Sequence, residues 1–423
     1  MRILMVSHGY PPTISGVTLV VQKLARAMVE RGHAVTVVTA SDEQQPYQIE
    51  DQGVQLVRVH SGSNPFWGEG PIPLARQKVL EEIIERVHPD IVHAHEAAFL
   101  ALQALRAGQG AGIPLVATCH YVPRFVARYL TWNDEPLEVV ESIVWAYSTW
   151  IFGRFDHVVF ATAAHRDSFR QKGLQAPTSI ISNGVDTVRY HPPDDRMEDV
   201  EARYQLPPRP RILFVGRLAQ DKEIDILIKA MPHILAEGNA HLLLVGRGDH
   251  RAQLEELVDE LRLQHGVRFL GFVPEEDMPA LYRAVDLFAI AATTEVQSLP
   301  TLQAVATGLP VVAADALALP ELVHDGVNGF VVPPGDPEAM AQAISTILRD
   351  PDRAGQMGQA SLRIARPHAE VRTFEEYESL YRHMISKNPF RGPRDKKRAL
   401  AAELPGLQNC AGATRSRLER PRT

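Results

Sequence analysis

Arg217 and Lys222 stand five residues apart, directly after a short apolar run at 212–215 that closes on Gly216. A guanidinium can grip phosphate oxygens through two parallel N–H bonds, and an ammonium adds a compact positive charge. Cations at the end of a strand could neutralise the charge that grows on a departing diphosphate. Further along, Glu295 follows a second apolar run at 287–291 and precedes a helical pattern at 301–306 that contains Gln303. A carboxylate can accept from a pair of sugar hydroxyls, and an amide can do so more weakly. Taken singly, two loop cations read as solvated surface, and Glu295 and Gln303 as ordinary loop and helix residues. Together they suit a diphosphate held beside a polyhydroxyl group.

Other candidates lie in the first half. Gly16 precedes a helix expected from about Thr18, where a glycine lets backbone amides approach an anion; a plain strand-to-helix turn explains it equally well. His93 and His95, with Glu96 adjacent, raise a metal site, but spacing alone supplies no complete ligand set. A strand end facing a substrate cleft is the preferred reading. His120 follows an apolar run at 115–118 and is placed to touch a substrate hydroxyl, with a structural histidine as the alternative. Residues 123–150 interleave Arg124 and Arg128 with Phe125, Tyr129, Trp132, Trp145, Tyr147 and Trp150. Such a stretch can lie in a membrane interface, or it can pack its aromatics on a sheet.

These residues must be positioned by a larger frame. A chain of 423 residues exceeds what one hydrophobic core usually supports. Apolar runs expected as strands fall at 3–6, 34–39, 55–59, 91–93, 115–118, 157–161 and 179–181, with amphipathic segments between them. Continuous apolar runs indicate strands covered on both faces, and strand–helix alternation indicates a doubly wound parallel sheet. The pattern restarts at 212–215, 242–245, 268–270, 287–291, 311–313 and 330–332. Between the two sets lies a proline-rich break at 190–195. The expected architecture is α/β: two doubly wound Rossmann-like domains facing a cleft, at the carboxyl ends of whose strands ligands bind. The domains are placed at 1–187 and 188–368, followed by a helix at 369–387 and a basic tail at 388–423 without regular structure.

The net charge of −7 argues against a general nucleic-acid binder. It is unevenly spread. Residues 387–423 carry ten Lys/Arg against three Asp/Glu, a net of +7, which leaves −14 on the rest. Two cysteines, Cys119 and Cys410, make neither a disulfide framework nor a four-thiolate zinc site. No run approaches the ~20 apolar residues of a membrane span. A cytoplasmic protein is expected.

An ordered set of motifs carries a resemblance. Tyr10-Pro11-Pro12 precedes Ser15-Gly16, and Gly32-His33-Ala34-Val35-Thr36-Val37 follows. Then come the H-x-H strand, Ser182-Asn183-Gly184-Val185-Asp186, Gly216-Arg217-Leu218 with Lys222, Gly308-Leu309-Pro310, and the run from Asp325 to Asp336. Over residues 1–386 the chain resembles the retaining glycosyltransferases of family 4, which have the GT-B fold. The resemblance implies transfer of a hexose from a nucleotide-diphosphate sugar with retention, without a metal and with no cofactor beyond that co-substrate. It implies that Arg217 and Lys222 hold the donor diphosphate, that Glu295 contacts the transferred sugar, and that His120 lies near sugar and acceptor. Gly16, Gly216, Ser298, Leu299 and Gln303 would be donor-binding; His93, His95, Tyr121 and Arg124 are the acceptor-side candidates. It also implies that the last helix crosses back to the first domain.

The chain departs from the family pattern at four places. Gln303 stands where a second glutamate is usual, Ser298 replaces a loop glycine, Ser15 replaces one of a glycine pair, and Pro300 lacks an N–H. The run Thr294-Glu295-Val296-Gln297-Ser298-Leu299 also resembles a variant found in glucosyltransferases acting on diacylglycerol. That variant makes a lipid acceptor, and peripheral contact with an anionic membrane, an expectation beside a saccharide acceptor. Two alternatives stay open: a sugar-nucleotide epimerase, and a non-catalytic two-lobed sugar-binding protein.

Overall fold

The structure, a computed structural model, describes residues 1–13, 15–64, 70–130, 136–193 and 200–388. The basic tail beyond Asn388, Cys410, Trp132 and the end of the proline-rich break lie outside the described residues.

The first half runs β1 (Arg2–Val6), α1 (Gly16–Glu30), β2 (Ala34–Ala40), β3 (Tyr47–Asp51) and β4 (Val54–Val59). It continues with β5 (Ser61–Gly62), β6 (Ile72–Pro73), α2 (Gln77–Val87), β7 (Ile91–Ala94), α3 (Phe99–Ala111) and β8 (Leu115–Cys119). It closes with α4 (Pro123–Leu130), α5 (Leu137–Phe152), β9 (His157–Phe160), α6 (Ala163–Gln171) and β10 (Thr178–Ile180). The second half runs α7 (Val200–Arg203), β11 (Arg211–Val215), α8 (Ile224–Glu237), β12 (His241–Val245), α9 (Arg251–Glu260), β13 (Val267–Gly271), α10 (Met278–Arg283) and β14 (Leu287–Ile290). Then come α11 (Leu299–Thr307), β15 (Val311–Ala314), β16 (Gly329–Val332), α12 (Pro337–Leu348), α13 (Pro351–Ala365) and α14 (Glu370–Lys387).

The first sheet has the order β10-β9-β8-β7-β1-β2-β4-β3 and the second β13-β12-β11-β14-β15-β16. Every pairing in the second sheet is parallel. In the first, only β3 runs antiparallel, against β4. Strand β3 has no place among the expected strands, because its residues Tyr-Gln-Ile-Glu-Asp are polar and mostly exposed. Its end is held by ion pairing instead of burial: Asp51 accepts from Arg26 at 2.6 Å and from the Tyr10 hydroxyl at 2.7 Å.

Two helices begin earlier than expected, for one local reason. Ser15 caps α1: its Oγ accepts from the Thr18 amide at 3.2 Å, and Thr18 Oγ1 accepts from the Ser15 amide at 2.8 Å. This reciprocal box satisfies two otherwise orphaned donors. Ser298 caps α11 with a single such bond, accepting from the Thr301 amide at 3.2 Å.

Helix α14 packs on the first sheet, not the second. Tyr377, Leu380, Tyr381 and Met384 share a core with Ile3, Met5, Val35 and Val37. Tyr381 Oη lies 2.7 Å from His93 Nδ1, while His93 Nε2 lies 2.7 Å from Thr118 Oγ1. His93, expected as an acceptor-side candidate, is held here by α14 and β8. It is fully buried, with both ring nitrogens occupied, beneath the seat of α14.

Burial holds the imidazoles of His93 and His165 neutral, at about 3 and about 4 against an ordinary 6.5. A folded pKa below the unfolded one means the unfolded chain takes up the proton first. The stability these groups contribute is therefore whole above pH 6.5 and lost as pH falls below it. Between pH 7 and 5, above most carboxylate titration, stability should drop by roughly 1–2 kcal/mol for each such histidine. Urea midpoints at the two pH values measure this; equal midpoints would mean that the rings are hydrated.

Candidate functional site

In the second sheet β11 is central, and the chain winds outward from it in both directions. The loops after β11 and β14 therefore diverge and open a crevice between them. Gly216, Arg217 and Lys222 follow β11, and Glu295 follows β14. The first sheet has its own divergence between β1 and β7. There His8 Nδ1, after β1, lies 3.3 Å from Glu96 Oε2, after β7.

The cations and carboxylates form one connected group. Lys222 Nζ donates to Glu295 Oε1 at 2.7 Å and stands 3.3 Å from Asp221 Oδ2. Arg217 Nη2 donates to Asp221 Oδ1 at 2.9 Å. Asp221 is 4% exposed, so it is the fixed counter-charge between the two cations. Burial opposes the charge on Lys222, but Glu295 and Asp221 more than offset this, and its ammonium titrates above the usual lysine value. The first domain closes over Arg217 from across the cleft. Its Nη1 donates to the Tyr129 hydroxyl at 2.7 Å, and its guanidinium lies 5.5 Å from the Phe125 ring. Both aromatics come from α4.

Glycine is required where two loops cross beneath these residues. A β-carbon on Gly246, whose φ is +137°, would lie 1.8 Å from the Gly216 carbonyl oxygen, and one on Gly248 would lie 2.1 Å from that of Leu218. Gly246→Ala should therefore displace the Gly216–Arg217 turn and weaken binding of a nucleoside diphosphate by at least about tenfold, as a misplaced bidentate contact does. Calorimetric titration reads this; unchanged affinity would mean that the turn does not hold the ligand.

Helix α11 points its N-terminus at the cleft from the second domain, and α1 does so from the first. They meet closely: a β-carbon on Gly16 would stand 3.8 Å from Leu299 Cδ1. In the first turn of α11, Pro300 has no N–H and that of Thr301 is taken by Ser298, so the Leu299 amide is left to donate to an anion. Pro300 sits where a helix leaves its amide unpaired, so the missing N–H costs the helix nothing. Gln303, on the same helix, lies 3.0 Å through Oε1 from the hydroxyl of buried Tyr282, which is also 3.1 Å from the Pro300 carbonyl. With the amide turned the other way, Tyr282 would donate to Pro300 and accept from Gln303. In that orientation the Gln303 carbonyl would be open to accept another hydrogen bond.

The loop between Glu295 and α11 is fastened to the first domain. Gln297 Oε1 accepts from the Asn183 amide at 2.7 Å and from Ser182 Oγ at 3.2 Å, and its Nε2 donates to the Ala161 carbonyl at 3.3 Å. Glu321 accepts from the amides of Ala163 and Ala164 at 3.1 and 2.6 Å, so a carboxylate of one domain caps α6 of the other.

The remaining candidates bond to partners outside the Arg217–Asp221–Lys222–Glu295 cluster. His95 is fully buried, its Nδ1 3.2 Å from His120 Nε2, and the rings stack at 5.5 Å. His120 is partly exposed, and burial, with His165 nearby, keeps it neutral at about 3. Tyr121 donates to or accepts from Ser148 Oγ at 2.8 Å, and exposed Arg124 pairs with Glu141 at 3.5 Å. Among the described residues, no group of three or more His, Cys, Asp or Glu side chains is arranged to hold a metal ion.

Sequence reasoning missed Asp221, Tyr129, Phe125 and Gln297 as parts of the site. Asp221 carried a signal as an acidic residue four after Arg217 on a turn, whereas Phe125, Tyr129 and Gln297 stood in stretches singled out for other reasons.

Comparison with known proteins divides along the same line as the fold. A model described as Glycosyltransferase Family 4 matches residues 14–189, and one described as Glycosyl transferases group 1 matches residues 209–350. The chain is 28% identical over 359 residues to an uncharacterized glycosyltransferase of Methanocaldococcus jannaschii, covering 83% of this chain and 90% of that one. It is 29% identical over 373 residues to a GDP-mannose-dependent alpha-(1-6)-phosphatidylinositol monomannoside mannosyltransferase of Mycobacterium tuberculosis, covering 85% and 92%. It is 26% identical to the sulfoquinovosyl transferase of Arabidopsis thaliana, covering 82% of this chain and 66% of that one. Among solved structures, sucrose-phosphate synthase from Thermosynechococcus elongatus superposes with a TM-score of 0.78 at 22% identity, covering 91% and 99%. HepE of Anabaena in complex with UDP-glucose gives 0.72 at 23%, covering 90% and 99%.

Proposed function

Because the chain belongs to the glycosyltransferases of family 4 and group 1 and has their GT-B fold, we propose that it moves a hexose, with retention of anomeric configuration, from a nucleoside-diphosphate sugar to a lipid hydroxyl. The observation that carries this reading is the Lys222–Glu295 contact of 2.7 Å beside Arg217 and Asp221 at the divergence of β11 and β14.

As the site stands, two cations face two carboxylates. A diphosphate brings further negative charge and takes Lys222 from Glu295. Glu295 is thereby released to accept from the sugar's hydroxyls, so donor binding and ring positioning are one event. The diphosphate also competes with Tyr129 for Arg217 and gains the Leu299 amide at the start of α11. In the transfer step, the acceptor oxygen bonds to the anomeric carbon as the bond from that carbon to the phosphate oxygen breaks. The electron pair leaves on the phosphate, held by Arg217 and Lys222, and that oxygen takes the acceptor's proton from the same face. Attack on that face gives retention. Neutral His120 offers a hydrogen bond, not a charge, to the sugar or acceptor.

A lipid acceptor is favoured by the name of the mannosyltransferase relative, which specifies a phosphatidylinositol monomannoside. Among the described residues no helix is long and apolar enough to cross a membrane, so such an acceptor would be met from the protein's surface. Among the similar proteins one is solved in complex with UDP-glucose and one is GDP-mannose-dependent.

The test is incubation with a panel of radiolabelled UDP- and GDP-hexoses and a lipid extract, resolved by thin-layer chromatography. Label should enter the lipid fraction from one donor. Label confined to water-soluble glycoside would exclude the lipid acceptor. An isomerised donor would mark an epimerase, and binding of free sugar without any nucleoside diphosphate would mark a binding protein.

A further inference from the structure

Helix α5 turns an apolar stripe to solvent. Val139, Ile143, Tyr147 and Trp150 are 55, 64, 40 and 43% exposed, and their spacing of four, four and three sets them along one face. Its opposite face carries Val144, Ser148, Ile151 and Phe152, all buried. Exposed apolar residues elsewhere are mostly scattered singly, which is ordinary; an unbroken row of them along a helix is not.

Positive charge gathers at one end of the stripe. Arg154 lies 3.9 Å over the Trp150 ring, and Lys172 lies 5.7 Å from that of Trp145. Arg106 is near enough to bear on the Tyr147 hydroxyl. Trp150, Arg154 and Lys172 line a groove of about 450 Å³ with Ala146, Thr149 and Gly153. Acidic Glu138 stands at the far end of the helix, and Glu141 is drawn inward to Arg124 and to Trp145 Nε1. An apolar stripe ending in tyrosine, tryptophan and cations matches the boundary between acyl chains and anionic headgroups. A protein partner would call for no such segregation of charge.

We infer that the outward face of α5 docks on a bilayer bearing anionic headgroups, with Ile143 and Trp150 entering the acyl boundary and Arg154 and Lys172 meeting lipid phosphates. The purpose of this surface rests on the lipid-acceptor reading. The inner face of α5 holds the acceptor-side residues, through Ser148 to Tyr121 and Glu141 to Arg124. Docking there would bring a membrane lipid to that side of the cleft.

Full-length protein should float with phosphatidylcholine vesicles containing phosphatidylglycerol. Ile143→Glu, Trp150→Glu and the pair Arg154→Glu with Lys172→Glu should each reduce the bound fraction by about tenfold or more. Transfer to a detergent-dispersed lipid acceptor should stay as in wild type, since none of these residues touches the cleft group. Wild type that stays unbound, or variants that float as wild type does, would overturn the surface. So would an Ile143→Glu variant that only dissolves a self-associated dimer. Loss of flotation in the variants with no lipid ever labelled would leave the surface standing and remove the acceptor reading. Labelled lipid with undiminished flotation would do the reverse.

Discussion

Lys222→Ala and Arg217→Ala should each lower kcat/KM for the donor by about 10³-fold, some 4 kcal/mol of transition-state stabilisation. The reason is geometric as well as electrostatic. Lys222 is partly buried between Glu295 and Asp221, so water replaces its charge poorly once it is gone. Arg217 is anchored through Asp221 and Tyr129, which fixes the direction of its guanidinium, and a diphosphate would take the place of Tyr129. The loss should appear in kcat as well as KM, because charge on the leaving phosphate is greatest in the transition state. Lys222→Ala also leaves the buried Asp221 with Arg217 as its one cationic partner among the contacts described, so a melting curve must accompany the kinetics. A folded variant with near wild-type transfer would remove the diphosphate site. Lys229→Ala is the control: its pair with Asp225 is exposed on α8, and transfer should be unchanged.

Tyr381→Ala should destabilise the protein by about 3–5 kcal/mol, the range for deleting a buried aromatic ring. The ring is fully buried between α14 and the first sheet. Its loss leaves a cavity and orphans His93 Nδ1. Tyr381→Phe keeps the packing and removes only the hydroxyl, so it should cost about 1–2 kcal/mol. Urea denaturation of the two variants separates packing from hydrogen bonding. Equal, small losses would mean that α14 is loosely held.

Much of the frame was readable because parallel sheets covered on both faces demand continuous apolar runs. The strands carrying Arg217 and Glu295 are such runs, so both residues could be placed at strand ends before any coordinate. The edge strand β3 could not be, because it is polar and held by Asp51. His93 and His95 show the limit of local reasoning. Strand periodicity correctly sets them on one face, and their rings are 4.0 Å apart. What covers that face is Tyr381, 288 residues later. The same holds for the cluster around Arg217 and Lys222. Asp221 lies within a turn of both cations, whereas Tyr129 reaches Arg217 from the other domain, 88 residues earlier in the chain. Contacts between domains leave no periodic trace in the sequence.

A crystal structure with the nucleoside diphosphate of the preferred donor bound tests the central claim most directly. The expected result has diphosphate oxygens within hydrogen-bond distance of the Arg217 guanidinium and Lys222 Nζ, and Glu295 released from Lys222. A diphosphate bound elsewhere, or bound while Lys222 still holds Glu295, would contradict it.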